Sequence, residues 1–285
     1  MKLICALAVM ASLAGTAHAG DKPPVYVETA AVPDKPSFTI NPAKAYVLLR
    51  GDTSTAMKLA RVADAEEQAS YEAYRLREFE KAHAKYLKKA KLWEQQAKFL
   101  KASGKPLPPK PSEPLRDTFQ VTPYEVLTMV SIGPIYRFAK SDTQSTYLQA
   151  LTPGEYRLYG PIYMAAEGAI GSCYCMGSVK FTARAGEVTD LGVILTRGVT
   201  APTAPQGDSS MPTPFAAQVF LGEAPVGMTL DPRIAGLPIR RAAFRPVGKL
   251  PNYYGVELGR IPAMAGVIGY DRDRILDLTV GEVAQ

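Results

Sequence analysis

Few side chains in this sequence could carry chemistry. Cys173 and Cys175 stand one residue apart in GSCYCMGS, and the only other cysteine is Cys5. In an extended strand residues i and i+2 lie about 6.6 Å apart, at the upper limit of Cα separation for a disulfide. A bond between them needs a bend, which Gly171 and Gly177 would permit. Three readings stand together: a strained Cys173 to Cys175 disulfide of raised reduction potential, two buried thiols acting as small apolar groups, and an intermolecular bridge or soft-metal site. With no C-x-x-C motif and no adjacent lysine to lower a thiol pKa, a thiol-disulfide or metal-handling function through this pair is the alternative to a non-enzymatic one.

Other reactive groups are scarce. Apart from His18 the one histidine is His83, inside a long helical pattern, where packing is its expected role. No G-x-S-x-G elbow occurs, so a serine triad has no framework. Zinc sites built on two or three histidines are excluded. Neither G-x-G-x-x-G after a strand nor G-x-x-x-x-G-K-[ST] is present, which leaves nucleotide binding without support. Asp271 and Asp273 in YDRDRILDL are the densest carboxylates of the β-rich regions. Alternating Asp and Arg there read as an exposed, charge-protected edge. Tyr253 and Tyr254, with the basic excess, offer a contact surface for a carbohydrate or cell-wall binding module. No catalytic residue, metal ligand or cofactor is assigned.

The elements that must position these residues begin after a leader. Residues 1–19 carry Lys2, an apolar run from Leu3 to about Gly15, and Ala17-His18-Ala19. These are the parts of a signal peptide cleaved after Ala19, and the run is shorter than the roughly 20 residues a membrane-spanning helix needs. Cys5 leaves with it. The 285-residue chain carries 33 basic and 27 acidic side chains, so losing Lys2 leaves 32 against 27, or +5. That excess promotes solubility and is compatible with peripheral contact with anionic membrane or cell-wall surfaces, while export removes nucleic acid as a partner.

AKAYVLLR (43–50) and MKLARV (57–62), joined by GDTSTA, read as a hairpin. Then the period changes. Asp64 and Glu67 form a capping-box pair, no glycine or proline occurs from Ala65 to Ser103, and Gly104-Lys105-Pro106 stops the helix. Phe79, Tyr86, Trp93 and Leu100 recur every seven residues, with Leu76, His83, Ala90 and Ala97 three before each, a coiled-coil-like stripe that Glu72 leaves incomplete. A helix of 39 residues would be roughly 58 Å long against a globule of about 45 Å, so it must overhang the body. The stripe is therefore the candidate partner-binding surface, for another envelope protein or a second copy, unless a sheet of this chain lies under it.

LPPKPSEP (107–114) reads as a stiff extended connector. YEVLTMVSI (124–132), TYLQAL (146–151) and residues 175–195 read as strands, and TPGE is a tight turn with Gly154 at a positive φ. Short strands between Gly and Pro turns predict a mainly β fold, a β-sandwich or small barrel, with residues 65–103 as an inserted helix. Residues 20–200 make the sandwich domain. APTAPQGDSSMPTP (201–214) is a linker, and 215–285 a C-terminal β-region packed on the first domain.

YLQALTPGEYRLYG followed by VKFTARAGEVTDLGVIL is similar to the strand, Pro-Gly turn, Tyr-x-Leu strand, Ala-Gly strand pattern of carboxypeptidase regulatory-like domains and of the bacterial envelope domains called DUF2846. The resemblance covers residues 145–196. It implies a prealbumin-like or immunoglobulin-like sandwich and a non-catalytic module, and it assigns no activity. The expected protein is an exported, non-enzymatic envelope component in the periplasm, on the outer membrane or outside the cell, with a long helical arm for assembly or partner binding.

Overall fold

The computed structural model describes residues 23–141, 144–165, 168–173, 178–195, 220–222, 228–255, 259–260, 264, 266–272 and 274–280. The expected signal peptide at residues 1–19, Cys175, the expected linker at 201–214 and Asp273 lie outside them. The chain opens with β1 (Thr29–Ala31), β2 (Ala45–Gly51) and β3 (Met57–Arg61), and continues into α1 (Ala65–Ala102) and the single turn α2 (Tyr124–Leu127). Then follow β4 (Met129–Ile132), β5 (Ala139–Lys140), β6 (Ser145–Leu151), β7 (Gly154–Gly160), β8 (Ile162–Ala165), β9 (Gly168–Cys173), β10 (Val179–Ala183) and β11 (Val188–Leu195). The last strands are β12 (Phe220–Gly222), β13 (Ile239–Arg241), β14 (Arg245–Pro246), β15 (Gly259–Arg260), β16 (Ile268–Asp271) and β17 (Arg274–Asp277).

The fold is mostly β with one long helix, and it is sandwich-like. One sheet runs β1-β6-β2-β11-β12, with β5 on β6 and β13 on β11; the other runs β14-β10-β7-β3-β4. Between them lies one apolar core: Val47, Leu49, Tyr147, Leu151 and Leu191 from the first sheet meet Leu59, Ile132, Tyr156, Leu158 and Phe181 from the second. Strand alternation explains the pattern. Val47 and Leu49 face inward, while Tyr46 and Leu48 face outward under a second cluster with Phe138, Val188 and Ile234. Because both faces of β2 are covered, all seven of its residues are buried, which is why it reads as a continuous apolar run.

Two strand assignments change. Residues 43–50 and 57–62 do not form a hairpin. Both edges of β2 are taken, by β6 antiparallel and β11 parallel, so β3 crosses to the other sheet and pairs with β7 and β4. The β6-β7 connection through TPGE, with Gly154 at φ 153°, crosses between sheets in the same way, as does β10-β11. Nor is YEVLTMVSI one strand. Tyr124–Leu127 is a helical turn closed by the Thr128 hydroxyl donating to the Tyr124 carbonyl at 3.0 Å, and only Met129–Ile132 joins the sheet.

Beyond residue 214, β12 and β13 join β11 while β14 joins β10, and β16 and β17 make a hairpin. Arg233 ties this region back. Its guanidinium lies 4.2 Å from the Phe138 ring centroid and donates to Asp231, to Asp34 and to the carbonyls of Lys35 and Phe138.

Candidate functional site

The arm consists of α1 and the residues that return from its end, and its root is held by charge. Arg61, the last residue of β3, is buried with its side chain 7% exposed, and Glu67 is 15% exposed. Arg61 Nε donates to Glu67 Oε1 at 2.8 Å and to Oε2 at 3.0 Å, while Nη1 donates to the Pro153 carbonyl at 2.6 Å. Glu67 also accepts from the Tyr124 hydroxyl at 2.9 Å and from the Asp64 amide at 3.2 Å, and Asp64 accepts from the Glu67 amide at 2.9 Å. One carboxylate thus completes the helix cap, neutralises a buried guanidinium and anchors α2. Gly154 belongs to this latch, because a Cβ there would collide with the Arg61 guanidinium.

The other end of α1 is closed as a Schellman motif. Gly104, at φ 65°, donates to the Lys101 carbonyl at 3.2 Å and Lys105 to the Leu100 carbonyl at 3.0 Å. That reversal sends the chain back along the helix. Trp93 Nε1 donates to the Pro108 carbonyl at 2.9 Å, His83 Nε2 lies 3.3 Å from Glu113 Oε1, and Arg75 Nη1 donates to the Arg116 carbonyl at 3.0 Å. Phe79 meets Phe119 edge-on at 5.6 Å and stacks on His83 at 5.7 Å, and the Tyr71 hydroxyl donates to the Thr122 carbonyl at 3.1 Å.

The spacing of these contacts fits an extended return. From His83 to Trp93 the helix rises about 15 Å, and Pro108 to Glu113 covers about the same length when the chain runs extended, as at the 3.1 Å per residue of polyproline II. Pro108, Pro111 and Pro114 are half-buried while the residues between them are exposed, the threefold repeat of that same helix. Three-residue periodicity therefore meets the seven-residue stripe.

The stripe thus has a neighbour within the chain. Phe79, Tyr86, Trp93 and Leu100 are half-buried, and the connector covers their side of the helix, a partner that needed no helical period. Among the described residues no second helix lies along α1. What α1 leaves open is elsewhere on its circumference: Leu87, Leu92 and Phe99 are exposed.

Cys173 ends β9, whose neighbours are β8 and β15, and Cys175 lies outside the described residues. Tyr253 and Tyr254 are half-buried against Tyr159, and the Tyr253 hydroxyl donates to Glu125 at 2.8 Å. Asp271 is exposed beside Arg274 at 3.4 Å. Among the described residues no group of three His, Cys, Asp or Glu side chains could hold a metal ion. The sequence reading missed Arg61 and Tyr124, whose signal was faint: an arginine ending an apolar strand six positions before a capping glutamate, and a tyrosine directly after a proline.

The latch makes a pH prediction. Burial, then the Glu67 carboxylate, raises the Tyr124 hydroxyl above the usual tyrosine range, and burial pushes Tyr156 up to about 12 against the lowering pull of Arg61. Tyr253 is raised by burial and by Glu125. A folded pKa above the unfolded value of about 10 gives stability that is complete below pH 10 and lost as pH rises toward the folded pKa. Thermal midpoints should therefore fall steeply above about pH 10. Tyr124→Phe should cost about 1.5 kcal/mol at neutral pH, as expected for a bond to a charged acceptor, and flatten the alkaline fall.

Comparison with protein-family models, with curated proteins and with solved structures gave no match.

Proposed function

We propose that this is an exported, non-enzymatic protein of the cell envelope, in which a β-sandwich body holds out a rigid arm for assembly or partner binding. The carrying observation is the construction of the arm. It has a charged latch at its root, a Schellman turn at its tip and a proline-stiffened return along one side, yet beyond its first turns it adds little to the core, where Tyr74 and Ala97 are the only buried residues of α1. Stiffness at that length without burial suits a projecting element, because a helix kept only for stability would turn its apolar face to the sheets. The leader at residues 1–19 supports export. The finer reading of the body, prealbumin-like or immunoglobulin-like, rests on the two runs that supply β6, β7, β10 and β11 and resemble carboxypeptidase regulatory-like and DUF2846 domains.

Joining Lys81 to Glu113 through a short Gly-Ser turn tests the role. The shortened protein should keep the body's thermal midpoint within about 2 °C and lose its co-sedimentation with the envelope fraction. Retention equal to that of the full chain would remove the arm's role.

A further inference from the structure

We infer that the distal half of the arm docks on an anionic phospholipid surface, which rests on the reading of the arm as the binding element and names its partner. Residues 81–110 contain nine lysines, Lys81, Lys85, Lys88, Lys89, Lys91, Lys98, Lys101, Lys105 and Lys110, against the single acid Glu94. Their net charge of +8 exceeds the +6 of the whole chain, so everything else sums to −2. All nine lysines are exposed. The basic excess of this protein is thus one feature at one end of it.

Apolar side chains stand among those charges. On a 3.6-residue helix Lys81, Lys85, Lys88, Leu92 and Phe99 fall within about 60° of one another, on a face well away from the Trp93 seam. Leu92 is 59% exposed and Phe99 69% exposed. A soluble polyanion would satisfy the lysines and leave these two side chains in water. A second copy would bring +8 against +8 and is opposed by repulsion. A bilayer with anionic headgroups satisfies both: lysines at the phosphate level and Leu92 and Phe99 at the headgroup and acyl boundary, as for helices lying in the interface plane. No helix among the described residues is long and apolar enough to cross a membrane, so the contact is peripheral.

Co-sedimentation of the mature chain with vesicles tests this, using one part phosphatidylglycerol to three parts phosphatidylcholine, and phosphatidylcholine alone. Binding to the anionic vesicles only is expected. Exchanging Lys85, Lys88 and Lys89 for Gln should weaken it about 100-fold, at the contribution usual for a juxtamembrane lysine. The double variant Leu92→Ser with Phe99→Ser should bind anionic vesicles at low salt but release in 0.5 M salt, where the Debye length is about 4 Å and the wild type persists. No binding to anionic vesicles, or equal binding by the lysine variant, overturns the inference. Binding to soluble polyglutamate as tight as to vesicles, and indifferent to Leu92→Ser with Phe99→Ser, also overturns it in favour of a polymer. If vesicles fail while the arm-shortened protein still loses the envelope fraction, the arm remains the binding element and its partner is not lipid.

Discussion

Replacing Glu67 with alanine is expected to cost about 3 to 5 kcal/mol of unfolding free energy, the range for breaking a buried ion pair from one side. The magnitude follows from what would be stranded. Arg61 would stay behind β3 with its charge opposed by no close carboxylate, since Asp64 lies 4.0 Å away and is itself exposed. The Tyr124 hydroxyl would lose its acceptor, and the helix its reciprocal cap. Asp64→Ala removes only the other half of the capping box and should cost about 1 kcal/mol. Glu67→Gln separates charge from hydrogen bonding, because glutamine can still cap and still accept from Tyr124 but leaves the guanidinium uncompensated. It should fall between the two. Urea unfolding followed by far-ultraviolet circular dichroism measures all three. A Glu67→Ala protein no less stable than Asp64→Ala would mean that Arg61 is hydrated in solution and the latch carries no charge.

Part of this latch could be read in the sequence and part could not. Asp64 and Glu67 stand three apart before an unbroken helical run, and the local rule that predicts their capping box is obeyed. Local rules reach only a few residues. The tie from Glu67 to Tyr124 crosses 57 positions, and the placement of β3 beside β7 depends on both edges of β2 being filled from later in the chain. The hairpin reading of 43–62 failed for that reason: two apolar strands joined by a short turn look alike whether they pair edge to edge or face each other across a core. The mainly β character and the limits of α1 were legible because they rest on composition and on glycine and proline placement. The covering of the stripe was legible in principle. Pro108, Pro111 and Pro114 already announce a threefold helix, but its repeat matches no α-helical period.

The same periodicity sets the second large effect. Changing Pro108, Pro111 and Pro114 together to glycine should destabilise the closed arm by about 3 kcal/mol, roughly 1 per position, chiefly through freedom returned to the open segment. The consequence extends to the helix. Lys81 and Lys85, Lys85 and Lys89, and Lys88 and Lys91 are like-charged neighbours at three- or four-residue spacing, each destabilising an isolated helix by a few tenths of a kcal/mol, so the distal half of α1 leans on the return segment for its order. Trp93 reports this directly, being the only tryptophan in the chain and bonded to Pro108 in the closed arm. The triple variant should show red-shifted emission, faster proteolysis between residues 104 and 118, and loss of up to roughly half of the helical signal as residues beyond Lys81 fray. Lys110→Gly, at an exposed position between the same prolines, should change these readouts far less. If the triple variant and Lys110→Gly behave alike, the return segment is held by its hydrogen bonds alone and proline stiffness adds nothing. If emission shifts while the helical signal stays whole, the lysine-rich half is self-supporting, and the return segment only shields the aromatic stripe from solvent.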